Sequence, residues 1–326
     1  MALNGSQQDR FLNLFTDNVV LEFQQRGSRL SNLFKKEIVK GQKTYFDKLG
    51  ALGAARQKTA RHQAVVIDDE TYERRLLTFE TLSKAHVMDI NDLMDMVTDP
   101  SSDVLRSIAH TLGREADRII MNAISGNAVV QTDGSTSNVA IPAGQKIAVS
   151  DITFDLDLSA GDKGLTPGKL MKAQKLLKQN YVTGEMVVIA PAGQLANILA
   201  HARASSGDYV SARPLESAGF EEALSGYLGL NFISYEETGV DSNSDELAFV
   251  VSRDALKIGE RQAMRVMMDK RPDLVATPDQ IQGILDMGAV RMFEEEIAHG
   301  SNYSNIYNNG KCESSCNEKS SRSRYH

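Results

Sequence analysis

Residues 41–80 form the stretch that most limits what this chain can fold into: GQKTYFDKLGALGAARQKTARHQAVVIDDETYERRLLTFE. Two runs with high β propensity flank a middle rich in Gly, Ala, Arg and Lys, which predicts a long β-hairpin. The hairpin has too few apolar residues to bury itself as a compact unit. We therefore predict that it projects from the fold and finds its partner on another chain.

Length and charge exclude several classes of protein. The 326 residues are enough for one large domain or two modest ones. A net charge of −7 opposes tight, general binding to nucleic acid, which needs Lys and Arg to displace counterions. No apolar run approaches the roughly 18 residues of a membrane span. Asp9, Arg10 and Asp17 interrupt any signal-peptide core, so we expect a protein that is cytoplasmic when made.

The strongest helix pattern covers residues 101–124. It begins after Pro100, where Ser101, Ser102 or Asp103 can accept hydrogen bonds from the free N–H groups of the first turn. Apolar residues then recur three, four or seven apart, as Leu105, Ile108, Leu112, Ile119 and Ala123. A stripe of this length predicts a long helix that lies on a sheet or on another helix.

A helix–strand–helix pattern occupies residues 166–202. Thr166 is placed to cap the first helix, and Pro167 stands at its first position, where a missing N–H costs nothing. On this helix the predicted inward side chains are Leu170, Ala173 and Leu177, and the predicted solvent-facing ones are Lys169, Lys172, Lys175 and Lys178. The strand EMVVIA and the helix PAGQLANILAHA follow. This order predicts a small α/β layer whose strand is buried on both faces.

Residues 255–297 have the pattern strand, turn, strand, and the second strand contains an acid, Asp286, and a base, Arg291. Successive side chains of a regular strand point to opposite faces, so residues five apart could not act as one catalytic pair. A bulge, which Gly288 would tolerate, is the one alternative that would align them. The FEEE that follows is predicted to be the solvent-facing exit of the strand.

No motif marks a catalytic or cofactor site. The chain lacks a Gly-x-Ser-x-Gly elbow, a His-Glu-x-x-His pair, a Walker loop and a Gly-x-Gly-x-x-Gly loop. No two His residues have the spacing that brings imidazoles to one metal on a helix. We therefore predict a protein that is not an enzyme, with no catalytic, cofactor-binding or metal-binding residues.

Two groups of residues resemble parts of metal sites. Asp155, Asp157 and Ser159 imitate the start of a calcium loop, but Ala160 stands where Gly is needed and Thr166 where a bidentate Glu is needed. A solvated acidic loop is the favoured interpretation. Cys312 and Cys316 offer two thiolates, whereas a closed zinc site needs four ligands. The remaining candidates are His326 and the distant His299, so incidental cysteines are favoured.

Two further groups allow a binding or a structural interpretation. One is the set Met264, Met267, Met268, Met287 and Met292. It is either a promiscuous binding surface or, as is more common for Met, filling for irregular gaps in a core or interface. The other is the basic set of the hairpin, Arg56, Lys58, Arg61, Arg74 and Arg75. Acidic residues lie among them, namely Asp68, Asp69, Glu70 and Glu73, which favours salt bridges between neighbouring subunits over phosphate binding.

Four segments, in their order along the chain, resemble the major capsid proteins of tailed bacteriophages with the Hong Kong 97-type fold, in particular the short-tailed, podovirus-like branch. GQKTYFDKLG is similar to the start of the family's extended loop, and the helix over 101–124 to its spine helix. LMKAQKLLKQNYVTGEMVVIAPAGQLANIL is similar to the helix, strand and helix that open its axial domain. PDQIQGILDMGAVR is similar to the late strand of its peripheral domain.

The resemblance implies an α+β, Hong Kong 97-like capsid fold. Its expected parts are an N-terminal arm (1–40), an extended β-hairpin loop (41–80), a peripheral domain with the spine helix (81–165 and 262–300) and an axial α/β domain (166–261). In the arm, Phe11, Leu14, Phe15 and Val19 share one helical face. The tail over 301–326 has no counterpart in the family, and its Ser, Asn and Lys content predicts disorder.

The same resemblance implies a shell subunit that self-assembles into hexamers and pentamers and encloses phage DNA in an icosahedral head. Implied partners are a scaffolding protein, the portal, and head-decoration or tail-connector proteins. Weak, non-specific proximity to packaged double-stranded DNA is expected, with no cofactor and no membrane. The implied location is the virion, and the host cytoplasm during assembly. Some relatives crosslink a Lys of the extended loop to a neighbour's Asn, but neither partner is assigned here.

Two alternatives to a phage shell subunit are an encapsulin-like compartment shell and an α/β enzyme or ligand-binding module.

Overall fold

A computed structural model describes residues 27–41, 43–50, 55, 57, 59–61, 67, 69–88, 101–132, 135–155, 163–200, 224, 226–275 and 277–303. The chain divides into two compact units. Unit 1 comprises residues 1–139 and 256–292, and unit 2 comprises residues 140–255 and 293–326. The predicted helical face of the arm and most of the predicted tail lie outside the described residues. Within the described parts of the chain, no helix has the length and apolarity to cross a membrane.

The described residues form mostly strands, with few helices. In chain order the elements are β1 (Lys35–Ile38), β2 (Lys43–Leu49), β3 (Tyr72–Thr78), β4 (Glu80–Met88), α1 (Ser101–Ser125), β5 (Ala128–Thr132), β6 (Ser135–Val139), β7 (Lys146–Ile147), α2 (Pro167–Gln179), β8 (Met186–Ala190), α3 (Ala192–Ala200), β9 (Asn231–Ser234), β10 (Glu246–Ser252), β11 (Leu256–Lys270), β12 (Asp279–Arg291) and β13 (Ile297–Asn302). Short 3₁₀ turns lie at Ala143–Gln145 and Tyr227–Gly229.

Unit 1 contains two four-stranded sheets, with strand orders β1-β11-β12-β4 and β2-β3-β5-β6. The helix predicted over 101–124 is α1, and it lies on the first sheet as expected. A Cβ at Gly283 of β12 would lie 2.6 Å from Ile108 and 2.7 Å from Leu112. The sheet and helix therefore approach so closely that only glycine fits between them.

Unit 2 is built on the five-stranded sheet β7-β13-β10-β8-β9. Every residue of β8 is buried, as predicted for a strand covered on both faces. Thr166 caps α2 by accepting a hydrogen bond from the backbone N–H of Lys169, and Pro167 occupies the first helical position. The buried side chains of α2 include the predicted Leu170, Ala173 and Leu177. The sequence pattern therefore located both this helix and its inward face.

One prediction for α2 is wrong, because Lys169 is buried rather than solvent-facing. Its Nζ donates to the carbonyl oxygens of Lys163 (2.8 Å) and Ser301 (3.2 Å) and to Oδ1 of Asn302 (3.3 Å). The first turn of α2 lies against the end of β13, so the lysine stem is covered while its ammonium keeps three oxygen acceptors. This lysine therefore ties α2 to β13 within unit 2.

The boundaries of the two units differ from the sequence-based divisions after residues 165, 261 and 300. β7 pairs with β13, and β13 pairs with β10, so residues 140–165 and β13 belong to unit 2. Ser301 and Asn302, expected in a disordered tail, are buried strand residues. Glu294, expected at a solvent-facing exit, is also buried. Strand pairing across long separations decides these positions, and local composition does not reveal it.

Candidate functional site

The predicted hairpin is present as β2 and β3, which pair in antiparallel register from Lys43↔Thr78 to Leu49↔Tyr72. Most residues between the two strands lie outside the described ones. One face of the pair is covered, since Phe46, Arg75 and Leu77 are buried there. The Nζ atom of Lys257 lies 4.7 Å from the centroid of the Phe46 ring. β3 also pairs with β5, so the hairpin continues a sheet and is less isolated than its sequence indicates.

The other face of the hairpin is open to solvent, and we call it the open face. Tyr45, Leu49 and Tyr72 on this face are 44%, 52% and 59% exposed. Between them, Nε of Arg74 lies 3.1 Å from Oδ1 of Asp47. The open face is therefore a row of large apolar groups around an ion pair that is satisfied within the chain.

Two residues of the basic set of the hairpin are paired within the chain. Arg74 pairs with Asp47, and Arg75 is buried with a terminal nitrogen 3.3 Å from Oε2 of Glu73. Both contacts are within one chain, and pairing between subunits stays a prediction for this set. Arg61 is exposed. The predictions for Arg56, Lys58 and Asp68 lie outside the described residues.

The end of β3 packs on the β11–β12 ladder at two paired glycines. Gly259 of β11 lies opposite Gly288 of β12 in the ladder. A Cβ at Gly259 would overlap the side chain of Leu77, and a Cβ at Gly288 would overlap the carbonyl oxygen of Thr78. The glycines therefore let the end of β3 approach the ladder at a distance that no other residue allows.

The alternative of a bulge at Gly288 is wrong, and the bulges of this ladder lie in β11. The register of β11 against β12 shifts between Glu260 and Gln262, and again between Gln262 and Arg265, while β12 runs on regularly. Each shift adds one residue to β11. Gly288 is therefore a seat for the Thr78 backbone and not a bulge.

Asp286 and Arg291 have different partners, as the alternation of the strand predicts. Asp286 is 4% exposed. Nε of Arg261 donates to its Oδ2, and a terminal nitrogen of Arg261 forms an ion pair with the same oxygen. Arg291 is 1% exposed. Its guanidinium donates to the carbonyl oxygens of Ile124 (3.0 Å), Gly126 (2.7 Å) and Val139 (2.7 Å). The acid and base that stand close in sequence therefore serve two separate structural contacts.

The end of the N-terminal arm is anchored on α1 by a buried carboxylate. Asp117 accepts hydrogen bonds from the hydroxyl of Ser28 and from the backbone N–H groups of Arg29 (2.9 Å) and Leu30 (3.0 Å). One turn earlier, a Cβ at Gly113 would lie 2.7 Å from the carbonyl carbon of Gly27. Gly113 and Asp117 therefore form the crossing point of arm and helix. In the sequence, the only sign of this crossing was the separation of four residues, which places Gly113 and Asp117 on one helical face.

Asp117→Asn should loosen the arm without unfolding unit 1. An amide can accept at one oxygen only, and its NH₂ would face an N–H donor, so we expect a local loss of about 2–3 kcal/mol. Limited trypsin digestion at Arg29 should become at least tenfold faster in the variant. Glu115→Gln, which changes an exposed carboxylate on the same helix, is the matched control and should leave the rate unchanged, whereas Ser28→Ala removes one anchoring hydrogen bond and should give an intermediate rate. Equal digestion rates for Asp117→Asn and the native chain would contradict this anchoring.

Of the residues that resembled the start of a calcium loop, Asp155 is described, and it has a structural contact. Asp155 is buried and accepts hydrogen bonds from the hydroxyl of Thr166 and the backbone N–H of Gly168 (3.0 Å) at the start of α2. Asp155 therefore stabilises the N-terminus of α2 and is buried, so the interpretation of this residue as part of a solvated loop is wrong. Asp157, Ser159 and the two cysteines lie outside the described residues. Among the residues that are described, no three His, Cys, Asp or Glu side chains cluster as metal ligands.

The methionine set divides between core and surface. Met287 and Met292 are buried, whereas Met264 and Met268 are exposed and Met267 is half-buried. These residues therefore do not form one continuous binding surface. The buried pair matches the structural interpretation, in which Met fills gaps in a core.

His299 makes unit 2 sensitive to acid. Burial lowers the pKa of His299 to about 4 from 6.5; the charge of Lys146 lowers it further and that of Asp241 opposes the shift. The folded state therefore resists protonation that the unfolded chain accepts. This group contributes full stability above pH 6.5, and the contribution falls as the pH drops towards 4.

We expect native unit 2 to lose on the order of 2 kcal/mol between pH 6.5 and 4, after allowance for the solvent that reaches the ring. Thermal unfolding followed by circular dichroism across this window measures the loss. His299→Gln should flatten the pH dependence, whereas substitution of the exposed His86 by Gln should leave it unchanged. The same slope in His299→Gln as in the native chain would show that another group is responsible.

Comparison with known proteins gives one family and many similar folds. A family model described as "Phage capsid protein" matches residues 8–302. No curated protein matches the chain. Among solved structures, the capsid of the cyanophage P-SCSP1u has a TM-score of 0.68 at 11% identity, with 91% of this chain and 94% of that chain covered.

Two further capsid structures give similar values. The capsid asymmetric unit of the cyanophage Pam1 has a TM-score of 0.67 at 12% identity and covers 92% of this chain and 98% of its own. The capsid of the Ralstonia phage GP4 has a TM-score of 0.65 at 9% identity, with 89% and 94% covered. At these identities the likeness concerns the fold, and it confirms the mixed α+β class predicted from the sequence.

Proposed function

The chain belongs to the phage capsid protein family, whose model matches residues 8–302, and we propose that β2 and β3 are the element with which it reaches a neighbouring copy. The protein is a major capsid protein that forms the head shell. It is a structural protein and not an enzyme. It acts as an oligomer, in the hexamers and pentamers of a phage shell, and it is located in the virion capsid.

Within this function, we assign parts to the two units. Unit 1 serves as the peripheral domain with α1 as its spine helix, and unit 2 serves as the axial domain. Residues 1–40 act as the N-terminal arm, whose described part is anchored at Asp117 and pairs with β11 through β1. The proposed partners are a scaffolding protein, the portal, and decoration or tail-connector proteins, with assembly in the host cytoplasm. Packaged DNA is near the shell but is not gripped by it, in keeping with the net charge of −7.

The observation that carries the proposal is the open face of the hairpin. Tyr45, Leu49 and Tyr72 expose 44–59% of their surface side by side. Aromatic and large apolar groups are enriched at the centres of protein interfaces, and a contiguous row of them is costly on a free monomer. The ion pair of Asp47 and Arg74 adds polar specificity to the row. A neighbouring subunit that covers this face would remove the apolar groups from water.

Replacing Leu49 and Tyr72 together by Thr tests the proposal. Threonine keeps the β propensity of the strands, so the thermal midpoint should stay close to that of the native chain. Loss of two interface anchors should raise the protein concentration needed for half-assembly by tenfold or more, an effect of about 1.4 kcal/mol or larger per subunit. Sedimentation with negative-stain microscopy measures the assembled fraction.

Val240→Thr is the matched control, because Val240 is similarly exposed at 56% but belongs to unit 2 and not to the hairpin. It should assemble like the native chain. Normal assembly of the Leu49 and Tyr72 double variant would mean that the open face is not an intersubunit surface.

A further inference from the structure

Arg261 occupies an irregular position in the ladder. Glu260 pairs with Met287 and Gln262 with Asp286, so Arg261 is the extra residue of the first bulge in β11. A bulged residue has no partner in the ladder, and the bulge turns its side chain away from the regular alternation. Here it directs the guanidinium of Arg261 towards Gly41 and Phe79, the residues that connect the hairpin to the rest of unit 1.

The guanidinium of Arg261 contacts both chain connections of the hairpin. Gly41 lies just before β2, and its carbonyl oxygen is 3.3 Å from a terminal nitrogen of Arg261. Phe79 follows β3, and the centroid of its ring is 5.5 Å from the guanidinium carbon. Thr81 at the start of β4 lies 3.5 Å away through its hydroxyl oxygen. One cation thus touches the segment that enters the hairpin and the segment that leaves it.

The ion pair that holds Arg261 in place is incompletely satisfied. Nε and one terminal nitrogen of Arg261 both contact the same oxygen of Asp286, Oδ2. Oδ1 of Asp286 is buried and has no hydrogen-bond partner among the described residues. The side chain of Arg261 is 35% exposed, so solvent weakens its attraction for Asp286, and the unsatisfied buried oxygen is a further cost. Net stability therefore does not explain why this position holds a charge.

We propose that Arg261 is a positioning residue that sets the angle between the hairpin of β2 and β3 and the β1-β11-β12-β4 sheet, and so decides whether assembling subunits close into a shell. The proposal rests on the proposed intersubunit role of the hairpin. From Lys43, at the root of the hairpin, to Leu49 the strand β2 extends about 20 Å at ~3.3 Å per residue. A change of about 10° at the root would move the open face by roughly 3 Å, which is enough to break a packed contact.

The test separates position from stability. In the double variant Arg261→Met with Asp286→Leu, apolar groups of similar volume replace the pair, so the thermal midpoint should remain near the native value. The number of closed shells per milligram should fall tenfold or more, with open sheets, tubes or irregular particles in their place. Negative-stain microscopy counts the products, with the scaffolding protein co-expressed and without it.

Two further variants make the test decisive. Arg118→Met with Glu115→Leu replaces an exposed ion pair on α1 and should give closed shells in native yield. Arg261→Lys keeps the charge beside Asp286 but lacks the planar fork, so it should give a mixture of closed and open products. In unassembled protein, hydrogen exchange at Thr44 and Leu77 should be faster in both Arg261 variants than in the native chain.

Closed shells of native diameter and yield from both Arg261 variants, with native exchange at the root, would overturn the inference. Should the double variant fail to fold, the same two readouts on Arg261→Lys decide the matter. Failure of the native chain itself to form shells under every condition would count against the proposed function. If the native chain forms shells and the Arg261 variants form equally normal shells, the role of Arg261 is contradicted while the proposed function stands.

Discussion

Arg291→Met is expected to lower the free energy of unfolding of unit 1 by about 3–6 kcal/mol. The guanidinium donates to the carbonyl oxygens of Ile124, which is buried, and of Gly126 and Val139, which are half-buried, and each would lose that donor. Arg291 is also the cation at the end of α1, whose own last turn has no basic residue. The substitution therefore removes a helix cap and the contact between α1 and the end of β6 together. Chemical denaturation followed by circular dichroism measures the loss.

Arg118→Met is the matched control, since it removes an exposed guanidinium on α1 that pairs with Glu115. Its expected cost is below about 1 kcal/mol. Arg291→Lys should fall between the two, because one ammonium cannot reach three acceptors in the planar geometry of a guanidinium. A cost of Arg291→Met no larger than that of Arg118→Met would contradict the role assigned to this side chain.

Gly288→Val is expected to displace the hairpin from its seat and to cost about 3 kcal/mol or more. Even the first carbon of the new side chain would overlap the carbonyl oxygen of Thr78, and it would lie 3.2 Å from Leu77. Backbone cannot rotate away as a flexible side chain can, so the end of β3 must shift. Hydrogen exchange at Leu77 and Thr78 should accelerate, and shell assembly should be lost because the open face is moved.

Gly144→Ala is the control for the effect of losing a glycine, because a Cβ at Gly144 meets no atom within 4 Å. It should leave stability and assembly close to native values. Gly288→Ala should show a smaller version of the Gly288→Val effect, ordered by side-chain size. Native exchange at Thr78 in Gly288→Val would mean that β3 does not rest on the ladder at this point.

Local signals in the sequence predicted several elements correctly. Thr166 and Pro167 together mark the start of α2 because capping and a fixed φ act within one turn. The apolar stripe predicted α1 because a helix lying on a sheet needs one continuous buried face. The separate roles of Asp286 and Arg291 followed from the period of a strand, which depends only on backbone geometry.

Contacts between distant segments were missed, because no local pattern encodes them. Lys169 has the same spacing as the other lysines of α2, yet the end of β13 covers it. Arg261 belongs to a bulge that exists only in the register of β11 against β12. Asp117 is a lone carboxylate whose structural role depends on backbone N–H groups about ninety residues earlier in the chain. In each case a polar group in an apolar setting marked a crossing of chain segments.

Electron microscopy of the full chain, purified with and without a co-expressed candidate scaffolding protein, shows directly whether the protein is a shell subunit. A shell subunit should yield rings or closed particles that sediment far ahead of the 35.8 kDa monomer. We predict closed shells built from hexamers and pentamers in at least one of the two preparations. A protein that remains strictly monomeric, and forms neither rings nor shells in either preparation, would contradict the account.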